Sequence, residues 1–176
     1  MREIRVATAQ FENRDNDPAF NLGRIHDLTR TAVEQGAEIV SFHEGCIPGY
    51  TWVQPLSYQL LADVAEPVPD GPSVKRLVKI AQEFSTIVMA GLFEIEPDGR
   101  IYNCYVTVGP DGFITKYWAP SRPFSSAVTA ANTTVRLSGG PFFSIRAASS
   151  IVAMPLALSS APLLIVSSSI DLEIPI

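Results

Sequence analysis

Glu44 is the residue of this sequence best placed to do chemistry, and Cys46 is the thiol nearest it in sequence. Glu44 follows the apolar run Ile39, Val40, Ser41, Phe42 and His43, and Gly45 and a Pro48-Gly49 turn come after it. An apolar run between Gly-Ala and Gly-Pro signals reads as a core strand of an α/β sheet, and the carboxyl ends of such strands are where these sheets bind ligands. Cys46 stands two residues further on. A thiol is mostly protonated at neutral pH, so a carboxylate able to accept its proton makes it a nucleophile, and a fixed cation or N–H donors must then stabilise the charge on the attacked group. Each residue also has a plainer reading. An acid at a strand end can simply cap the strand or pair with a base, and a cysteine can be a small buried hydrophobe.

The elements that position Glu44 can be read from spacing. Residues 2–10, with Ile4 and Val6 among small residues, predict a strand with both faces largely buried. Asp17-Pro18 offers a cap and a first-turn proline. Phe20, Leu22, Ile25, Leu28, Thr29, Ala32 and Val33 then recur at helical spacing until Gly36. The return through residues 38–42 closes a β-α-β unit, which calls for parallel strands and a right-handed crossover. Residues 52–64 are a weaker helical stretch interrupted by Pro55, and residues 66–72 read as a loop. Ser73 is the expected cap of a helix with Val74, Leu77, Val78, Ile80, Ala81 and Phe84 on one side. Residues 86–93, 101–108 and 113–118 predict three strands joined by Pro-Asp-Gly turns, an antiparallel meander. The fold class expected is α/β: a β-α-β unit, then a meander, as in the first part of an α-β-β-α sandwich.

Composition narrows the function. A chain of 176 residues is enough for one domain or a large piece of one. The net charge is −5, and no Lys/Arg cluster provides the electrostatic footprint that nucleic acid requires. No apolar run approaches the ~20 residues of a membrane span. The opening Met-Arg-Glu-Ile enters a strand with no charged-then-apolar leader, which favours the cytoplasm. Cys46 and Cys104 are far apart, and His26 and His43 lack partners at metal-ligand spacing, so neither a disulfide framework nor a metal site is expected.

The pattern changes near Trp118. Residues 1–118 hold 10 Lys/Arg and 16 Asp/Glu, whereas residues 119–176 hold three and two, together with 12 Ser and 9 Ala. Two regions are therefore expected: 1–118, and an atypical Ser/Ala-rich, low-charge segment, 119–176. Ile151, Val152, Ala153 and Met154, and Leu163, Leu164, Ile165 and Val166, are too apolar for a solvated tail. A frameshifted or disordered segment is the expectation for 119–176.

Several ordered blocks carry a resemblance to a family. They are VATAQFE at 6–12, EIVSFHEGCIPGYTW at 38–52, LADVAEPVPDGPSV at 61–74, AGLFE at 90–94, GRIYNCYVTVGPDG at 99–112 and Lys116-Tyr117. From about residue 4 to 117 the chain resembles the carbon-nitrogen hydrolases, the nitrilase superfamily. The resemblance implies a nitrilase-like sandwich and hydrolysis of a non-peptide amide, carbamoyl compound or nitrile by a Cys-Glu-Lys mechanism. No cofactor is implied, and relatives pair into dimers or larger assemblies. It makes Glu44 the general base. The family's catalytic lysine falls three residues after Lys116, where this chain has Ala119, and the catalytic cysteine falls in the second half, where no cysteine follows Trp118. Lys116 could substitute only with a register shift. Cys46 matches a variable turn and Cys104 an alternating strand, so both are expected to pack. His43 is expected beside the carboxylate, Tyr50 along the pocket and Tyr102-Asn103 at the hairpin. Three readings follow: a hydrolase by descent that is truncated in its chemistry and inactive, an amidase using Cys46 with Glu44, or a non-catalytic half-sandwich that binds a partner.

Overall fold

The computed structural model describes residues 4–119 and 163–168. The first strand, β1 (Arg5–Gln10), leads into helix α1 (Pro18–Glu34) and returns as β2 (Ile39–Ser41), parallel to β1 with Val6 opposite Ile39. The Asp17 side chain accepts from the Phe20 amide at 2.9 Å, with Pro18 opening the helix. Gly36 ends the run at φ +88°, a left-handed backbone that residues with a Cβ rarely adopt. This is the start and stop that the sequence signals.

Pro55 splits the next helical stretch into α2 (Tyr50–Val53) and α3 (Tyr58–Val64). The following helix, α4 (Pro72–Phe84), corrects one expectation. Its N-cap is Gly71, and Ser73 lies within the first turn, buried. The Glu66 carboxylate takes over the capping work, accepting the Ser73 amide at 2.8 Å. A carboxylate there both satisfies an orphan N–H and meets the positive end of the helix dipole. Val74, Leu77, Ile80 and Ala81 are buried, as their spacing requires.

The meander follows as β3 (Ile87–Ile95), β4 (Ile101–Gly109) and β5 (Gly112–Trp118), antiparallel in sequence, while β3 runs parallel to β2. From the C-terminal segment, β6 (Leu163–Ser168) pairs antiparallel with β1, giving a six-stranded sheet in the order β5-β4-β3-β2-β1-β6. The Ile151 to Met154 cluster lies outside the described residues.

Helices α1 and α4 pack on one face of this sheet. Ala7, Ala9, Val40, Val88, Ala90, Leu92, Val106 and Val108 point to that face and are buried with Ile25, Leu77 and Ile80. The opposite face is more open: Thr8 and Gln10 are exposed, and Ser41, Met89 and Thr107 are half-buried. β1 therefore alternates instead of burying both faces, because the two long helices, α1 and α4, cover the same face. This mixed α/β layer is the fold class that the sequence pattern implies. No described helix is long and apolar enough to cross a membrane.

Candidate active site

Gly91 seats the turn that carries Glu44. The β2–β3 ladder runs one residue past β2, with the Phe42 amide donating to Met89 O at 2.8 Å. The chain then crosses over β3 at Gly91, where a Cβ would clash with Gly45 N and lie 2.9 Å from Glu44 Cα. Only glycine admits so close a backbone. The Ile47 amide returns to Gly91 O at 3.2 Å.

Asn21, fully buried on α1, ties down the other side. Its Nδ2 donates to Ile47 O at 2.8 Å and Arg14 O at 2.7 Å, and its Oδ1 accepts the Arg14 amide at 2.8 Å. The Ile47 carbonyl is buried, and the Asn21 bond supplies it with a partner. The Glu44 turn is thus fixed from β3 and from α1, before any ligand is considered.

Glu44 is exposed, and Asn103 Nδ2 donates to its Oε1. The Tyr50 phenol lies near the carboxylate, and its pKa is raised, by burial first and then by the Glu44 charge. Strand parity places this pair on the open face: Cys104, next to Asn103 on β4, is buried on the helix side. Sequence reading gave Asn103 to the hairpin; the alternation of Asn103 with Cys104 is the signal that assigns it to the Glu44 face. Past the end of β5, the Ala119 amide donates to Asn103 O at 2.9 Å. Position 119, where the resemblance expects a lysine, therefore lies beside the residue that holds Glu44.

Cys46 is withdrawn from solvent. It is fully buried in the core, its thiol 3.8 Å from Gly91 O, and burial pushes its pKa up to about 12. Such a thiol is inert at neutral pH. Cys104 is also fully buried, and its pKa is raised well above the thiol range, by burial first and then by the adjacent Glu94.

Lys116 belongs to the closed face as well. It pairs with Glu94, which is only 2% exposed, and reaches Glu96 at 3.3 Å. Burial alone would lower the Lys116 pKa, but the bonds and charges of Glu94 and Glu96 outweigh it and hold it above its ordinary value. Trp118 Nε1 donates to the other Glu94 oxygen at 2.6 Å, and its ring stacks on Tyr102 with centroids 4.4 Å apart. The sheet separates this ammonium from Glu44.

His43 lays its ring against Phe11, centroids 5.0 Å apart, and burial lowers its pKa. Its Nδ1 is buried with no partner among the described residues. Those residues also contain no group of three or more His, Cys, Asp or Glu side chains able to hold a metal ion.

Comparison with known proteins bears on the family and the fold. A nitrilase from Pyrococcus abyssi (strain GE5 / Orsay) is 30% identical over 114 residues, 65% of this chain and 42% of that protein. An omega-amidase from Bos taurus is 36% identical over 112 residues, 64% of this chain and 38% of that protein. The chain thus spans about two fifths of the length of these curated relatives. Among solved structures, an N-terminal amidase with an Asn-Glu-Ala peptide superposes with a TM-score of 0.57 at 18% identity, covering 66% of this chain and 28% of that one. An amidase from Nesterenkonia sp. superposes with a TM-score of 0.50 at 22% identity, over 65% and 42%. At these identities the superpositions speak for the fold. The pattern of the carbon-nitrogen hydrolases matches residues 5–138, which takes in β1 through β5 and the whole Glu44 turn. With three quarters of its length inside that match, the chain belongs to the carbon-nitrogen hydrolase family.

Proposed function

We infer that Glu44 is the proton-accepting carboxylate of a carbon-nitrogen hydrolase site, one that acts on a small-molecule amide, carbamoyl compound or nitrile. The same reading makes this polypeptide catalytically incomplete on its own. The observation that carries it is the partition across the sheet. Glu44 stands exposed on the open face with Asn103 and Tyr50, while both cysteines are buried and Lys116 is neutralised on the closed face. A proton acceptor is in place, but among the described residues neither a reactive thiol nor a free ammonium reaches it, and position 119 supplies only a methyl group. Attack on a carbon-nitrogen centre requires the first, and stabilising the resulting charge requires the second. The nitrilase and omega-amidase relatives support the substrate class. The burial of Cys46 argues against a Cys46–Glu44 amidase.

Ammonia release from the purified chain tests this, with small aliphatic amides, an N-carbamoyl amino acid and alkyl and aryl nitriles as substrates. The expected rate equals that of the protein-free control. Turnover lost on Glu44→Gln would keep Glu44 as the base and overturn the incompleteness. Turnover indifferent to Glu44→Gln would overturn the whole reading.

A further inference from the structure

The Glu44 turn has a third attachment, made by a tyrosine two strands away. Tyr105 on β4 is the cross-strand partner of Gly91 on β3. Its hydroxyl reaches past β3 to β2 and donates to Phe42 O. Phe42 O is the first carbonyl beyond β2, at the point where the backbone leaves the ladder for Glu44. Ser41 Oγ is 2.9 Å from the same hydroxyl oxygen, and Met89 O is 3.4 Å away. A phenol has one proton. With that proton on Phe42 O, Ser41 is the donor to Tyr105, and the two hydroxyls form a short directional relay into the strand end.

We propose that Tyr105 is a positioning residue for Glu44: its hydroxyl fixes the Phe42 carbonyl and so sets where the carboxylate two residues later is presented. Three facts support the assignment independently of any one distance. The Glu44–Gly45 backbone fills the space beside Gly91, so the turn is seated directly on the residue of β3 that pairs with Tyr105. The hydroxyl bonds backbone, so it acts on the course of the chain and not on one side-chain rotamer. Burial also raises the Tyr105 pKa well above the usual phenol range, so the donor keeps its proton wherever a carboxylate base would work. Tyr105 does not touch Glu44 itself; Asn103, two residues back on the same face of β4, holds the carboxylate directly. β4 thus acts on Glu44 twice, once through the side chain and once through the backbone.

The inference rests on reading Glu44 as the site's proton acceptor, but its test does not need turnover. Tyr105→Phe keeps the ring and removes only the hydroxyl. In the full chain at neutral pH, each carboxylate's coupling to glycine ethyl ester, driven by a water-soluble carbodiimide, is followed by peptide mass spectrometry, with backbone amide exchange measured alongside. The expected result is a change in the Glu44 coupling rate of about threefold or more, with Asp70 and Asp98 unchanged, and exchange across residues 42–47 faster by about tenfold, the scale of one lost buried hydrogen bond. Ser41→Ala, which removes the relay's first donor, should shift Glu44 in the same direction by less. An unchanged Glu44 rate in both variants overturns the proposal. So does a uniform acceleration of all carboxylates, since that is the signature of general loosening. Failure of the ammonia assay would leave these labelling results standing, and failure of the labelling would leave Glu44 as base untouched.

Discussion

The two faces of the sheet are built by opposite rules. On the helix side, small and branched residues close the surface, and the charged group placed there, Glu94, is matched on both oxygens by Lys116 and Trp118. On the other side, Glu44, Asn103 and Tyr50 gather at the carboxyl end of β2 with water access, and the Tyr105 hydroxyl, bonded in turn to Ser41, holds the Phe42 carbonyl. A carboxylate occurs on both. Burial decides between them: Cys104 beside Glu94 is locked as a neutral thiol in a structural cluster, whereas Glu44 is left solvated and oriented. Cys-Glu-Lys composition is therefore not a catalytic site unless the groups share an accessible face.

The thiols give the largest expected effect. At pH 8, alkylation of Cys46 and Cys104 by iodoacetamide in the native chain should be slower than in denaturant by on the order of 10³. The sign with pH follows from burial. The Cys46 pKa rises from 9.0 unfolded to about 12 folded, so the fold favours the neutral thiol. That contribution is complete below pH 9.0 and is lost as pH climbs toward about 12. The denaturant midpoint should fall over this window, and less steeply in Cys46→Ala. Rapid native labelling of Cys46 would return the Cys46–Glu44 amidase to consideration.

Next in size is the contrast between the two held carboxylates. Glu94→Ala strands a partly buried ammonium and an indole N–H, and should cost about 3 kcal/mol in chemical denaturation. Asn103→Ala removes a donor from a carboxylate that water can reach, and should cost about 0.5 kcal/mol. Equal costs would mean that the faces do not differ in the way their burial implies.

Much of this was legible from sequence because the pattern is local. The Asp17-Pro18 start and Gly36 stop of α1, the 3.6-residue recurrence in α4 and the Pro-Asp-Gly turns of the meander each depend on a few adjacent residues. So did the placing of Glu44 at a strand end. What could not be read were contacts that join distant segments. Asn21 reaching Ile47, Tyr105 reaching Phe42 and Asn103 reaching Glu44 are separated by 26, 63 and 59 residues, and no periodicity announces them. The Ser73 cap failed for the same reason: a local Ser signal lost to Glu66, seven residues back, once the Glu66 backbone had paired with β3. Strand parity held up best of all. It placed Lys116 and position 119 on different faces, and the register of β5 agrees.

That parity yields the smallest change in stability and the sharpest test of the two-face description. Val106 pairs with Lys116 and Cys104 with Trp118, all on the helix side, so position 119 alternates to the Asn103 side. A lysine side chain there could span the roughly 5 Å between neighbouring strands and approach the Glu44 carboxylate. Ala119→Lys should leave the denaturation midpoint within about 0.5 kcal/mol of the parent, since Ala119 is only half-buried. Zero-length carbodiimide coupling should then join the introduced amine to the peptide containing Glu44, while Lys116 couples to Glu94 or Glu96 in parent and variant alike. Coupling of the introduced amine to Glu94 would put positions 116 and 119 on one face and dissolve the distinction. Coupling to Glu44 would show that the open face already presents the geometry for a cation beside the base, with the side chain itself the missing part.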